Sequence, residues 1–551
     1  MPCRTLITLL LCLQLIGCVP LPTPDPFRPS AATPTRGLSP ELRSLPSVTP
    51  TWTPSPTASP TVTATPTKTP TAEPTPTLAP TWTPTATAQP AASLDEWGIY
   101  ALGLRAAIQP EPPWAGMTHY SLTLTLAPDL SQLDGRARIR YFNQEPTALN
   151  EIYLRLFPEV WNVGVAVWDV AVNGQAISPT FPANATLLRI PLDKPLPPAA
   201  AISFTMAFSA TIPVGLGAGN FGEFALDREV LSLGHVYPIV VVYQGGWRVE
   251  WPALRGDVLH HDASLYDVRL HAPADLVVVA TGTMVERHDN DDGTATWRFV
   301  GGPMRDFNVV ASVRYRSITD QADDVTVTSY YLPGDEANGR KALGWARDAL
   351  RYFEGVFGPY PYRRLDVVAM PTPAGGLEYP GLIVISTRYY QDANADEHTF
   401  ESVVVHEVAH QWWYNVVGND QVNHPWLDEA LTQYSTYLYM RAKYGPEGAR
   451  NFVDTVTNLR WGRVDFKEMP IGLPSGAYTG AEYSAIVYGR GALFFLALAD
   501  RMGEARMAEL LRRYYTAFAW RIAAPEDFKR LAEGVAGGRL DDLFEKWVYP
   551  R

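Results

Sequence analysis

The spacing of apolar residues changes period along this chain, and that change limits the possible folds more than any other feature. From 118 to about 315, apolar and polar residues alternate in short runs such as HYSLTLTLAPDL, GRARIRYFNQ, EIYLRLFPE, AISFTMAFSA and ATWRFVGG. Gly, Pro, Asn and Asp separate the runs. Period two puts every second side chain on one face of a strand, so the stretch predicts an antiparallel, mostly β domain. Near 320 the pattern mixes: VTVTSYYL and RLDVVAM read as strands on either side of a helical GRKALGWARDALRYFEGVFG. After 400 helical spacing dominates, in ESVVVHEVAHQWWYNVVG, LDEALTQYSTYLYMRAKYG and YGRGALFFLALADRMG. The chain is therefore expected to be multidomain, with an N-terminal β domain over 94–319 and an α+β domain over 320–551.

The three cysteines are Cys3, Cys12 and Cys18, so the body of the chain has neither disulfides nor cysteine ligands. It must be held by packing, or by packing and a metal bound through His, Asp and Glu. Arg4 followed by the apolar run Leu6 to Ile16 reads as an export signal over 1–17, too short for a permanent membrane span. Leu15, Ile16, Gly17 and Cys18 resemble the bacterial lipobox, which implies cleavage before Cys18 and acylation of it. On that reading the protein is an exported lipoprotein, membrane-anchored through Cys18 on the extracytoplasmic face. Residues 18–93 are nearly all Thr, Pro, Ala and Ser, too poor in apolar surface to form a core. As extended polyproline II, at about 3.1 Å per residue, this linker could reach on the order of 200 Å. The net charge of −12, with no basic run, argues against a nucleic-acid partner.

The stretch SVVVHEVAHQWW carries His406 and His410 four apart, with Glu407 between them. On a helix, positions i and i+4 share a face, so both imidazoles can reach one ion while Glu407 points at a water beside it. A catalytic zinc takes three protein ligands and keeps one position open. The next predicted helix, HPWLDEALTQY, offers Glu429 and, beside it, Asp428, which could instead cap that helix. Helical spacing alone leaves the choice between the two open.

HEVAHQWWYNVVGND followed by WLDEALTQY resembles the M1 family of zinc metallopeptidases, within the thermolysin-like gluzincins. The family spacing H-E-x-x-H-x18-E implies Glu429 as the third ligand. AGGLEYPGLIVIS resembles the family's substrate-binding motif G-x-M-E-N, here Gly375-Gly376-Leu377-Glu378-Tyr379. EYSAIVYGRGALFFL resembles the segment with the family's catalytic tyrosine, here Tyr488, with Tyr483 a weaker neighbouring candidate. GGWRVEW, DASLYDVRL and RDFNVVAS resemble the family's N-terminal, saddle-like β domain. The likeness spans about 118–551. It implies one zinc ion on His406, His410 and Glu429, with Glu407 as general base and Tyr488 as oxyanion donor. Glu378 would hold a peptide's free amine, and Gly375 and Gly376 would allow close backbone approach.

Leu377 and Tyr379 stand where the family has Met and Asn, and Asp428 and Ala430 where it has Asn and Gly. The family's amine-binding glutamine is not evident; Gln244 is one guess. His424, His260 and His261 read as ordinary structural histidines. The chain ends 63 residues after Tyr488, which implies that the large helical C-terminal domain of many relatives is missing and the cleft open. The expected function is removal of N-terminal residues from peptides. The alternatives are a zinc endopeptidase or other zinc hydrolase that needs no free amine, or a non-catalytic surface-binding protein.

Overall fold

The computed structural model describes residues 98–105, 116–217, 220–251, 255–392 and 396–550, all within one compact unit. The expected signal peptide, Cys18 and the linker lie outside the described residues. Among the described residues no helix is long and apolar enough to cross a membrane.

The alternating runs form strands, and their periodicity sets their faces. In Gln132–Phe142 the residues Leu133, Ala137, Ile139 and Tyr141 are buried while Asp134, Arg136 and Arg138 are exposed. The strand pairs along its whole length with Ala201–Thr211. These two are the fifth and sixth strands of an eight-stranded sheet. Its order is Thr283–Asp289, Thr294–Met304, Ser264–Pro273, Thr118–Leu126, Gln132–Phe142, Ala201–Thr211, Ala166–Val172 and Gln175–Ala176. Two smaller sheets of three and four strands complete the β domain. One join departs from the antiparallel expectation: Thr118–Leu126 runs parallel to Ser264–Pro273. The chain between them builds most of the domain before returning to its first strand, and so long a return can enter in either direction.

The second part is built on a five-stranded sheet, in the order Arg316–Ala322, Val325–Tyr331, Arg364–Met370, Leu382–Ser386 and Gly376–Tyr379. Arg316–Ala322 runs across the expected boundary at 319/320, so this sheet begins before it. The predicted helix before Gly358 spans Glu336–Phe357 and buries Ala342, Ala346, Ala349 and Phe353.

The helix carrying the histidine pair is Glu397–Ala409, shorter at its end than expected. It starts where the Asp396 carboxylate accepts the Thr399 amide at 2.9 Å. It stops before the two tryptophans, and the chain turns sharply at Tyr414, where φ is +94°. Trp412 and Trp413 are both buried, and their indoles donate to Gly358 O and Ser435 Oγ, each at 2.9 Å. Two buried, paired indoles outweigh another turn of helix. The following helix is Glu429–Phe452, broken at Gly445–Pro446. Asp428 does not cap it; its side chain turns elsewhere.

Arg305 fastens the β domain to the loop after the histidine helix. It is 1% exposed and donates to His261 O at 2.8 Å, Tyr414 O at 2.7 Å, Val416 O at 3.3 Å and Arg521 O at 2.7 Å. Four carbonyls from three separate segments satisfy a guanidinium that burial would otherwise penalise.

Candidate active site

The i, i+4 spacing places the two imidazoles on one helix face, with ring centres 4.7 Å apart and planes at 88°. Their Nε2 atoms lie 3.1 Å apart, and Glu429 Oε2 lies 3.2 Å from His406 Nε2 and 3.5 Å from His410 Nε2. Four tetrahedral donors at about 2.0–2.1 Å from a zinc ion stand about 3.3–3.4 Å apart. The three observed separations match that edge length, and two imidazole nitrogens and a carboxylate are zinc donors by chemistry. These residues fit the ion.

Asp428 takes a different place from that of a ligand. Its Oδ1 lies 2.8 Å from His410 Nδ1, on the far side of the ring from the three donors. Gln421 Nε2 donates to its other oxygen at 2.5 Å. A carboxylate behind a ligating histidine fixes the tautomer and leaves Nε2 free to face the ion.

The neighbouring carboxylates are buried and crowded. Glu378, Glu407 and His410 each offer an atom within 4.8 Å of the others. Burial, then Glu378, raises the Glu407 carboxyl well above the usual range. Glu378 is pushed up to about 8 by burial, opposed by His410 and reinforced by Asp428 and Glu429. Burial would raise Glu429 too, but hydrogen bonds from both imidazoles outweigh it and hold the carboxylate ionised. Burial opposes a charge on His410, yet Glu378 and Asp428 outweigh it and favour the cation. Acids outnumber cations here, so the site favours positive charge from outside.

Glu378 lies on the edge strand Gly376–Tyr379, which pairs on one side only, with Leu382–Ser386. The short loop after the histidine helix holds it. Gln411 Nε2 donates to Tyr379 O at 3.1 Å and Gln411 Oε1 accepts from Gly381 N at 2.9 Å. Asn415 Nδ2 donates to Glu378 O at 3.0 Å. Gly376 has a steric reason: a Cβ there would lie 2.5 Å from the Glu407 carboxyl carbon. Gly375 has none of that kind, its nearest neighbour being Val403 at 3.6 Å.

Tyr488 lies on Tyr483–Arg490, a π-helical stretch of the sort that often marks functional sites. Its hydroxyl donates to Glu429 Oε1, and its ring centre is 5.9 Å from that of His406. Tyr483 is buried behind it at 5.9 Å, packed where Gly256 has no side chain. Gln244 is exposed in a turn, and its backbone N–H donates to Gly246 O at 3.0 Å.

Asp257, next to Gly256 in the β domain, was not evident in the sequence. Its carboxyl is pushed well above the usual range by burial and by the neighbouring Glu378, Glu429 and Asp428 carboxylates. Nothing in its own neighbourhood signals a site, because a different domain brings it there. Gln421 was equally silent, and its Nε2 lies 3.5 Å from Glu378 Oε1. Gln411 and Asn415 sit inside the motif stretch, where the expectation of helix hid their outward reach.

The model of the peptidase family M1 domain matches residues 341–547. Aminopeptidase M1-B of Oryza sativa subsp. japonica is 29% identical over 233 residues, covering 40% of this chain and 26% of that protein. Aminopeptidase M1 of Arabidopsis thaliana is 26% identical over 297 residues, covering 51% of this chain and 34% of that protein. The matched part of the chain thus spans about a quarter to a third of the length of these curated relatives. In fold the chain is similar to the M1 zinc metallopeptidase of Deinococcus radiodurans, with a TM-score of 0.61 at 21% identity. That alignment covers 79% of this chain and 93% of the other. The His406–His410–Glu429 donor set thus lies inside the segment, residues 341–547, that matches the peptidase family M1 domain.

Proposed function

We propose that this protein is a zinc aminopeptidase that removes N-terminal residues from peptides. The observation that carries the reading is the buried Glu378 carboxylate beside the three-donor set, a fixed partner for a free α-ammonium. His406, His410 and Glu429 would hold one zinc ion, which supplies Lewis acidity and a water acidic near pH 7. Glu407 accepts the proton of the attacking water and passes it to the leaving amine. Tyr488 turns its hydroxyl from Glu429 to the developing oxyanion and donates to it. Glu378, with Gln421 beside it, pairs with the ammonium and so places the scissile bond one residue in. Gly376 leaves room for Glu407 against the substrate strand. The β domain contributes Asp257 to the same acidic wall.

The division of the chain into an export signal, a linker over 18–93, a β domain and a catalytic domain is part of this proposal. So is the lipid on Cys18, which would hold the enzyme on the extracytoplasmic face with the linker as spacer. The LIGC lipobox-like sequence supports it. Labelling with a radioactive fatty acid, lost in Cys18→Ser, tests the anchor. A panel of aminoacyl arylamides and peptides, free or N-acetylated, tests the activity. Chelator should abolish cleavage, zinc should restore it, and acetylation should block it. Equal cleavage of acetylated peptides would overturn the amine-binding role of Glu378 in favour of an endopeptidase.

A further inference from the structure

One cation faces the catalytic centre without a carboxylate of its own. Arg460 Cζ lies 5.9 Å from the centre of the Tyr488 ring, the ring whose hydroxyl donates to Glu429. Its Nη1 donates to Val456 O at 3.3 Å, and no ion pair engages it among the described residues. The phenols of Tyr389 and Tyr488, the Arg463 guanidinium and the Glu429 carboxylate are its electrostatic neighbours. An arginine held beside an acidic site, yet paired with none of its acids, is available to an anion from outside.

The edge strand gives the direction. Glu378 marks the end that takes a substrate's ammonium, Gly376 lies against Glu407, and Gly375 follows. The Tyr389 hydroxyl lies 3.8 Å from the position a Gly375 Cβ would take. Moving from Glu378 to Gly375 therefore leads past the general base toward the Tyr389–Arg460 wall. At about 3.3 Å per extended residue, the three steps from Glu378 put Gly375, with the Tyr389 hydroxyl beside it, roughly 10 Å from the amine-binding residue. A peptide chain covers that distance in two to three residues.

A trough of about 290 Å³ includes Ser402, one helical turn before His406, and Val456, one turn before Arg460. Asp396, His398 and Glu447 are among its ionisable lining residues.

We propose that Arg460 binds the C-terminal α-carboxylate of dipeptides and tripeptides, making short free-acid peptides the preferred substrate class. The inference rests on the aminopeptidase reading and adds to it a limit on length and a demand for a free carboxylate. It is tested with di- and tripeptides that share a sequence and carry either a free C-terminal carboxylate or an amide. For wild type, kcat/KM should favour the free acids by about tenfold or more, mostly through KM, as a charge-assisted pair would give. In Arg460→Gln the ratio should fall to near one, and in Arg460→Lys it should be partly kept. A ratio near one in wild type, or an unchanged ratio in Arg460→Gln of normal zinc content, would overturn the proposal. The wild-type ratio decides even if the variant fails to fold. An aminoacyl arylamide has no carboxylate and reports on the aminopeptidase reading separately. Its cleavage alongside a ratio near one sinks only the role of Arg460, whereas no cleavage of any N-terminal residue sinks the reading beneath it.

Discussion

Two buried histidines in this molecule each sit among carboxylates, yet they do different work. His235 in the β domain has Glu223 Oε2 2.6 Å from Nδ1 and Asp306 Oδ2 2.5 Å from Nε2. Burial opposes its charge, but Asp306 and Glu223 outweigh it and push the imidazole up to about 10. Both ring nitrogens are occupied by acids of the same domain. His410 has Asp428 on Nδ1 at 2.8 Å, but its Nε2 shares Glu429 Oε2, 3.5 Å away, with the His406 Nε2 at 3.1 Å, and Glu378 and Glu407 stand close by. The first cluster supplies its own countercharge, and the second supplies donors and excess acids without one. Burial of charge is common to both. What separates a structural cluster from a reactive one is whether the pairing is complete.

The comparison predicts that changes at His410's cluster damage catalysis and changes at His235's cluster damage stability. The largest effect should come from Glu407→Gln, lowering kcat by about 10²–10⁴-fold, the usual range for a general base, with zinc content unchanged. Loss of the metal in that variant, or retained turnover, would break the assignment. Asp306→Asn should destabilise the fold by about 3–5 kcal/mol, since it leaves a buried imidazolium half-paired. Denaturant unfolding measures it, and a change in kcat without a change in stability would put His235's cluster on the reactive side. Asp428→Asn should weaken zinc affinity by about 10–100-fold in a chelator competition, because the carboxylate only orients His410. Gly376→Ala should lower kcat by about tenfold or more, as displacement of a catalytic group does, while Gly375→Ala stays close to wild type. Equal effects at the two glycines would sink the steric argument.

The smallest effect is a pH dependence. His235's folded pKa of about 10 lies above its ordinary value of 6.5, so its contribution to stability is full below about pH 6.5. It is then lost as pH rises toward about 10, at no more than about 1.4 kcal/mol per pH unit. Unfolding of the chelator-treated protein across that range should show the slope, and His235→Gln should flatten it.

Periodicity and short-range spacing are local, and what depends on them was legible in the sequence. The alternating runs gave the β domain, and helical geometry gave His406 and His410 a common face with Glu407 beside them. Neither Asp428's turn behind His410 nor the early end of the histidine helix followed from spacing, since both arise from contacts with residues packed later. Asp428 reads as a helix cap until His410 comes within 2.8 Å. Trp412 and Trp413 continue a helical pattern until their indoles find partners in other segments.

The sequence by itself determined the period of each segment, the donor types and the spacing within one helix, because these depend on bonds a few residues apart. Only the tertiary structure decided which acids meet. Asp257 and Gln421 reach the site from separate segments, Arg460, on the short helix Leu459–Gly462, faces Tyr488 on a π-helical stretch, and one join in the large sheet is parallel. Each of these is a contact between residues far apart in the chain, which local propensity does not encode and packing of the whole core fixes.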